Sequence, residues 1–356
     1  MRIYYHWILT IILAFLMADN ILWNVGFPIA SERQAADPEC LWSPSIGQNV
    51  SKEDADVFEN VGQNGLRVSY PSGIRRRPYR VLFLGCSFTY GVGVADQDTY
   101  VWRINELCPE LLADNGAVGG YGPLRSLFRL RRLLPLHRYD LVVYAAIDDH
   151  LQRCSLAKTR FENSERVSPG GRRIRYSDLY AMPYTELAPD FRFVDHRLSR
   201  GRFLFDSISP FSNFLNQYYT TYKVRRVHVP AIGESGLVFT NVMERMAMLA
   251  AAYDCRFLLV SLDRFSDAYR PLLPDWMNFF DASRAKDMRQ EDLVLQRAGN
   301  HPGAGVHNEW AEKLAAYLNS PEQTERLLNF RARRHCRHRS LYDLLYGSDG
   351  ENGSRE

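Results

Sequence analysis

The sequence predicts an α/β domain built around buried parallel strands, and three observations predict it. A short apolar run, Arg80 to Leu84, stops at Gly85-Cys86-Ser87, and Asp140 to Ile147 is a second such run that stops at Asp148-Asp149-His150. Runs of this length, rich in Val, Leu and Phe and without polar alternation, suit strands covered on both faces. Glycine-rich turns and helical spacing of apolar residues come after the strand-like runs, and these are the third observation.

The first strand ends in a Gly-x-Ser turn, which places the Ser87 hydroxyl at the carboxyl edge of the sheet, where ligands bind in open α/β folds. From Asn115 a glycine loop, Gly116 to Gly122, leads to Pro123, which suits a first helical turn. Leu124, Leu127, Leu130 and Leu134 then mark one helix face. A helix is expected from Gly236 through Ala252, a strand over Arg256 to Leu262, and a last helix over Asn308 to Leu318 with Trp310, Leu314 and Leu318 on one side. That last helix is opened by His301-Pro302-Gly-Ala-Gly-Val-His307.

Nucleophile turn, glycine loop, polar strand end and histidine, in this order, resemble the SGNH or GDSL-type hydrolase superfamily over residues 80–153 and 255–318. Asn64-Gly65-Leu66-Arg67 is also similar to membrane-tethered members. The resemblance implies a three-layer sandwich with a mainly parallel, flavodoxin-like sheet. It implies Ser87 as nucleophile, His301 as general base, and the Ser87 and Gly120 amides as an oxyanion hole. His307 falls where many members carry a second, non-catalytic histidine.

Three positions depart from the pattern. Cys86 stands where an aspartate is usual, with its side chain expected to point away from that of Ser87 along an extended strand. Asp148 stands where an asparagine amide would donate to the oxyanion, which an ionised carboxylate does not do. Either Asp148 is protonated, or a neighbour such as His150 takes that part. Ala298 stands where an aspartate would orient the histidine, leaving Asp292 or a backbone carbonyl for the task.

Such groups perform acyl transfer: an imidazole takes the serine proton, and N–H donors hold the oxyanion. The expected activity is hydrolysis of esters, carbohydrate O-acyl esters included. Transfer of an acyl group to an envelope glycan, or glycan binding without catalysis, uses the same fold. No cofactor is implied, and the histidines and carboxylates lack metal-ligand spacing.

At 356 residues, with 46% hydrophobic content and a net charge of +3, the chain has material for one large core. Nucleic acid is not an expected partner, since no recognition module accompanies the basic residues Arg331, Arg333, Arg334, Arg337 and Arg339. The expected partner is an acylated small molecule or glycan. Trp7 to Met17 is apolar apart from Thr10, comes after Arg2, and suits a signal peptide or an uncleaved membrane anchor. Either places the domain outside the cytoplasm, periplasmic or held at the inner membrane. Of six cysteines, Cys40 is the candidate to bridge Cys108 or Cys154.

The expected organisation is an export segment over 1–30, an irregular lead-in over 31–79, a hydrolase-like domain over 80–320 with an insertion at 157–237, and a basic segment with a polar tail over 321–356. Within the insertion, Ser168-Pro169-Gly170-Gly171 predicts a hairpin turn. A cluster of aromatic residues from Phe191 to Tyr222 comes next.

Overall fold

The computed structural model describes residues 2–24, 34–37, 41–44, 46–50, 57–74, 76–155, 158–167, 173–181, 184–190, 192–196, 232–263, 270–284, 288–294 and 301–328. Ala298, the aromatic stretch 203–222, the basic cluster 331–339 and the tail 347–356 lie outside these residues.

Five strands carry the fold: β1 (Tyr79–Gly85), β2 (Leu111–Asn115), β3 (Leu141–Ala146), β4 (Arg256–Ser261) and β5 (Phe279–Asp281). They lie in the order β5-β4-β3-β1-β2, and every pair in this sheet is parallel. Phe83 stands opposite Val143 on one side and Asn115 on the other, and Tyr144 stands opposite Leu259. This is the doubly wound order expected, and it has a consequence for position. The chain first moves outward from β1 to β2, then crosses back to β3, so a crevice opens beyond the carboxyl ends of β1 and β3.

Helices cover both faces. Helix α1 (Tyr100–Leu107) and helix α4 (Ala304–Leu318) pack together on one face, and α2 (Pro123–Leu133) and α3 (Ile232–Ala252) pack together on the other. The first face buries Val81, Phe83, Val143, Leu258 and Val260 of the strands against Tyr100, Ile104, Trp310 and Leu314 of the helices. Strand residues alternate between faces, so Leu82, Leu84, Val142 and Tyr144 are left to the other layer, where they are also buried. Burying a large apolar side chain contributes about 1.5–3 kcal/mol each, which makes these two layers the main source of stability.

Helix α1 starts where Thr99 caps it, its Oγ1 accepting the Trp102 N–H at 3.3 Å. Helix α2 starts at Pro123, as the sequence predicts. Helix α4 begins at Ala304, four residues ahead of the expected Asn308, because Gly303 is already the N-cap.

By their internal contacts the residues divide into Met1–Ser43 with Ser155–Ala231, and Pro44–Cys154 with Ile232–Glu356. The second unit holds the sheet. In the first, Lys158–Val167 pairs antiparallel with Arg173–Ala181, so strands flank the predicted turn at residues 168–171, which itself lies outside the described residues. A second antiparallel pair joins Tyr184–Leu187 to Phe193–His196. The N-terminal helix Arg2–Asn24 exposes Tyr4, Trp7, Ile11, Leu13, Leu16 and Met17. Among the described residues no helix is long and apolar enough to cross a membrane.

The lead-in is more regular than its prolines suggest. Gln34–Asp37 pairs with Leu41–Pro44, and Gly47–Val50 pairs antiparallel with Phe58–Val61.

Candidate active site

Ser87 opens a single helical turn, Ser87–Tyr90, directly beyond β1. The turn closes because Tyr90 N–H donates to Cys86 O at 2.9 Å, and the Gly91 and Val92 amides donate to Ser87 O at 2.8 and 3.1 Å. Gly91 ends the turn at φ +83, where an added Cβ would stand 2.7 Å from Thr99 Cγ2. Glycine is therefore required for a turn this tight.

Two buried side chains hold the turn from outside. Asn115, the last residue of β2, donates from Nδ2 to Thr89 O at 2.9 Å. Arg67, 1% exposed, donates to Tyr90 O at 2.5 Å, to Gly91 O, and to Val94 O at 2.6 Å, while its Nε reaches Asp96 Oδ1 at 3.0 Å. Its own amide donates to Asn115 O at 3.0 Å. Arg67 thus serves as a clamp on the loop that comes after the serine.

Cys86 is fully buried, and its thiol is pushed up by that burial. Cys86 belongs to the buried cluster that also holds Tyr100 and Trp310, and the extended course of β1 ends at it. It is the N-cap of the turn, at φ −98 and ψ −153, and the chain direction changes at this residue.

The glycine loop runs alongside. Gly116 N–H donates to Phe83 O at 2.8 Å and Val118 N–H to Gly85 O at 3.3 Å, which ties the loop to the end of β1. Gly120 has φ +75, and its carbonyl accepts from the buried Arg125, whose guanidinium also lies 4.6 Å from the centre of the Tyr121 ring.

His301 arrives from the far end of the chain. Leu293–Val294 pairs antiparallel with His301–Pro302, Val294 opposite His301. This strand comes within 8 Å, Cα to Cα, of the Ser87–Tyr90 turn. The His301 ring stands edge-on to Phe88 at 5.8 Å, and Phe88 in turn stacks on Trp310 of α4. Sequence positions more than 200 apart are thus brought to one edge of the sheet.

Asp292 directly precedes the strand that pairs with His301–Pro302. Its carboxylate bonds the Arg289 amide at 2.7 Å and pairs with Arg284 at 2.9 Å, which together hold it below the usual carboxylate range. Its carbonyl accepts from Gly303 N–H at 2.8 Å. Arg284 also grips Glu309 of α4 with two bonds, at 2.7 and 2.9 Å, so the strand is fastened to the last helix.

At the end of β3, Asp148 is exposed and its amide donates to both oxygens of Asp263, at 3.0 and 3.2 Å. Burial first, then the charges of Asp148 and Asp149, push Asp263 up to about 7, against the effect of the Asp148 amide. Asp263 sits two residues beyond β4 and was not among the residues the sequence singled out. His150 has no exposed surface, and its Nδ1 lies 2.8 Å from Tyr144 Oη. A ring enclosed in this way presents no donor to a substrate, so the expectation that His150 replaces the missing amide is corrected. His307 is also fully buried, accepting the Tyr100 amide at Nδ1, 3.2 Å away.

Cys86 and Cys108 are buried free thiols, and Cys154 keeps a thiol that donates to His150 O at 3.3 Å. Cys40 lies outside the described residues. Among the described residues no group of three or more His, Cys, Asp or Glu side chains is placed to hold a metal.

No protein-family model matches the sequence, and no curated protein is similar to it. Solved structures are similar in fold. They include TesA (13% identity over 67% of this chain and 98% of that one, TM-score 0.34). A GDSL-like lipase from Bacteroides thetaiotaomicron is 11% identical over 67% and 87%, TM-score 0.33. The psychrotrophic esterase EstA from Pseudoalteromonas sp. is 11% identical over 68% and 100%, TM-score 0.33.

Proposed function

We propose that the chain is a serine-type ester hydrolase, with Ser87 as nucleophile, His301 as general base, and the Ser87 and Gly120 amides as oxyanion donors. The observation that carries this reading is the meeting of the Ser87 turn and the His301 strand beside the β1/β3 switch point, where doubly wound folds bind ligands. A serine hydroxyl is a poor nucleophile until a base removes its proton, and His301 is the imidazole at this edge with exposed surface. His150 and His307 are sealed away.

The substrate class is an acyl ester, on a small molecule or a glycan, with water as acceptor. The apolar N-terminal helix supports an extracytoplasmic setting, as an export segment or a tether at the inner membrane. That setting favours acylated envelope glycans as substrate.

An aryl acetate assay tests the reading. The wild-type chain hydrolyses the ester and takes up a fluorophosphonate at Ser87, whereas Ser87→Ala does neither. Equal rates for the two proteins, or an adduct on Cys86 instead, would reject it.

A further inference from the structure

Ester hydrolysis at Ser87 is short of one oxyanion donor. The resemblance puts Asp148 where an amide side chain would donate; its own N–H is taken by Asp263, and His150 is enclosed. Among the described residues, a charged donor at this edge is Arg153, which ends the short helix Asp149–Arg153 beyond β3. Its Cβ lies against Gly122, where an added Cβ would come within 2.8 Å of it, so the glycine is what lets the two segments meet. Its Nη1 reaches across to Tyr121 O at 3.4 Å, and its Nη2 pairs with Asp149. The side chain is 20% exposed, and Asp149 is 55% exposed, so the pair is of the solvated kind that costs little to rearrange.

We propose, resting on the serine-hydrolase reading, that the Arg153 guanidinium is a catalytic donor to the oxyanion, replacing the amide that Asp148 does not offer. As Ser87 Oγ bonds to the acyl carbon, its proton passes to His301 and the carbonyl π pair moves onto oxygen. The guanidinium and the Ser87 and Gly120 amides hold that charge. When the oxyanion collapses, the alkoxide leaves with the proton from His301, and water repeats the sequence on the acyl serine. A fixed cation aimed at developing charge acts chiefly on the transition state.

The test is aryl acetate hydrolysis by the full chain. Arg153→Ala is expected to lower kcat by about a hundredfold, the usual cost of one oxyanion donor, with KM moved by less than about threefold. Arg153→Lys should keep kcat within about tenfold of wild type, since a cation remains. The deciding variant is Arg153→Ala with Asp148→Asn. Returning an amide at 148 should recover about tenfold or more over Arg153→Ala alone. A brace removed from the glycine loop would not be mended by an asparagine at 148, so loss without recovery overturns the inference, as does an unchanged kcat in Arg153→Ala. If the wild-type chain neither hydrolyses the ester nor is labelled at Ser87, the serine-hydrolase reading falls and this inference with it.

Discussion

Two imidazoles are sealed inside the sheet-bearing unit in neutral form, and each sets a condition on pH. In His307, Nδ1 accepts the Tyr100 amide, so the ring proton sits on Nε2, which is also buried. Burial first, then the charges of Arg67 and His301, pull the ring down to about 3. His150 is held the same way, with burial and Arg153 keeping it well below the ordinary range. A histidine depressed in the folded state is protonated first in the unfolded chain. Its contribution to stability is therefore complete above pH about 6.5 and is lost as pH falls from there toward the folded value. The slope is about 1.4 kcal/mol per pH unit for one such ring. His307→Gln keeps an acceptor and removes the titration. Urea denaturation should show wild type losing about 2 kcal/mol more than the variant between pH 6.5 and 5. Parallel losses in the two proteins would mean that His307 is not held neutral.

At the scale of elements, the loop after the serine depends on one buried guanidinium. Arg67 and Asp96 are both almost without exposed surface, and Asp96 also accepts from the Asn60 amide and side chain at 3.2 and 2.6 Å. Removing one partner from such a pair leaves a charge buried without compensation, which costs about 3–5 kcal/mol. Arg67→Met keeps the volume and removes the donors. It should lower unfolding stability by that amount in urea, and a loss below about 1 kcal/mol would show that the clamp is dispensable. The sequence makes the serine turn, the glycine loop and the helix starts legible, because glycine, proline and serine act on the backbone next to them. It hides what depends on distant partners. Strand β2 reads poorly since Leu-Leu-Ala-Asp-Asn ends in two polar residues, yet Asp114 is buried because Arg80 bonds it at 2.7 Å, and Asn115 because it serves the serine turn. Arginine in a lead-in reads as surface, and nothing near Arg67 in the chain announces the carbonyls at 90–94. Asp263 becomes notable only through an amide 115 positions away. His150 reads as part of a polar strand end, yet its ring is buried with Nδ1 beside Tyr144 Oη and the Ile147 amide.

At the scale of the whole molecule, the N-terminal helix differs from every helix around the sheet. Helices α1, α2 and α4 bury most of their apolar side chains, whereas Tyr4, Tyr5, Trp7, Ile8, Leu9, Ile11, Ile12, Leu13, Leu16 and Met17 are at least 49% exposed. These residues are spread around the helix rather than along one stripe, and an apolar surface of this extent on a water-facing helix is unfavourable by about 25 cal/mol for each Å² left wet. Lipid relieves that cost, and residues 7–17 hold no charged side chain to oppose it. Within the helix, Ala18-Asp19-Asn20 sets polar groups between the apolar run and Ile21. The full chain is therefore expected to float with neutral phosphatidylcholine vesicles in a density gradient, and to do so in high salt as well as low, because the attraction is apolar. A chain lacking residues 1–24 should stay at the bottom. Flotation that disappears in high salt would assign membrane binding to basic residues instead, and equal flotation of both chains would remove the helix from the account.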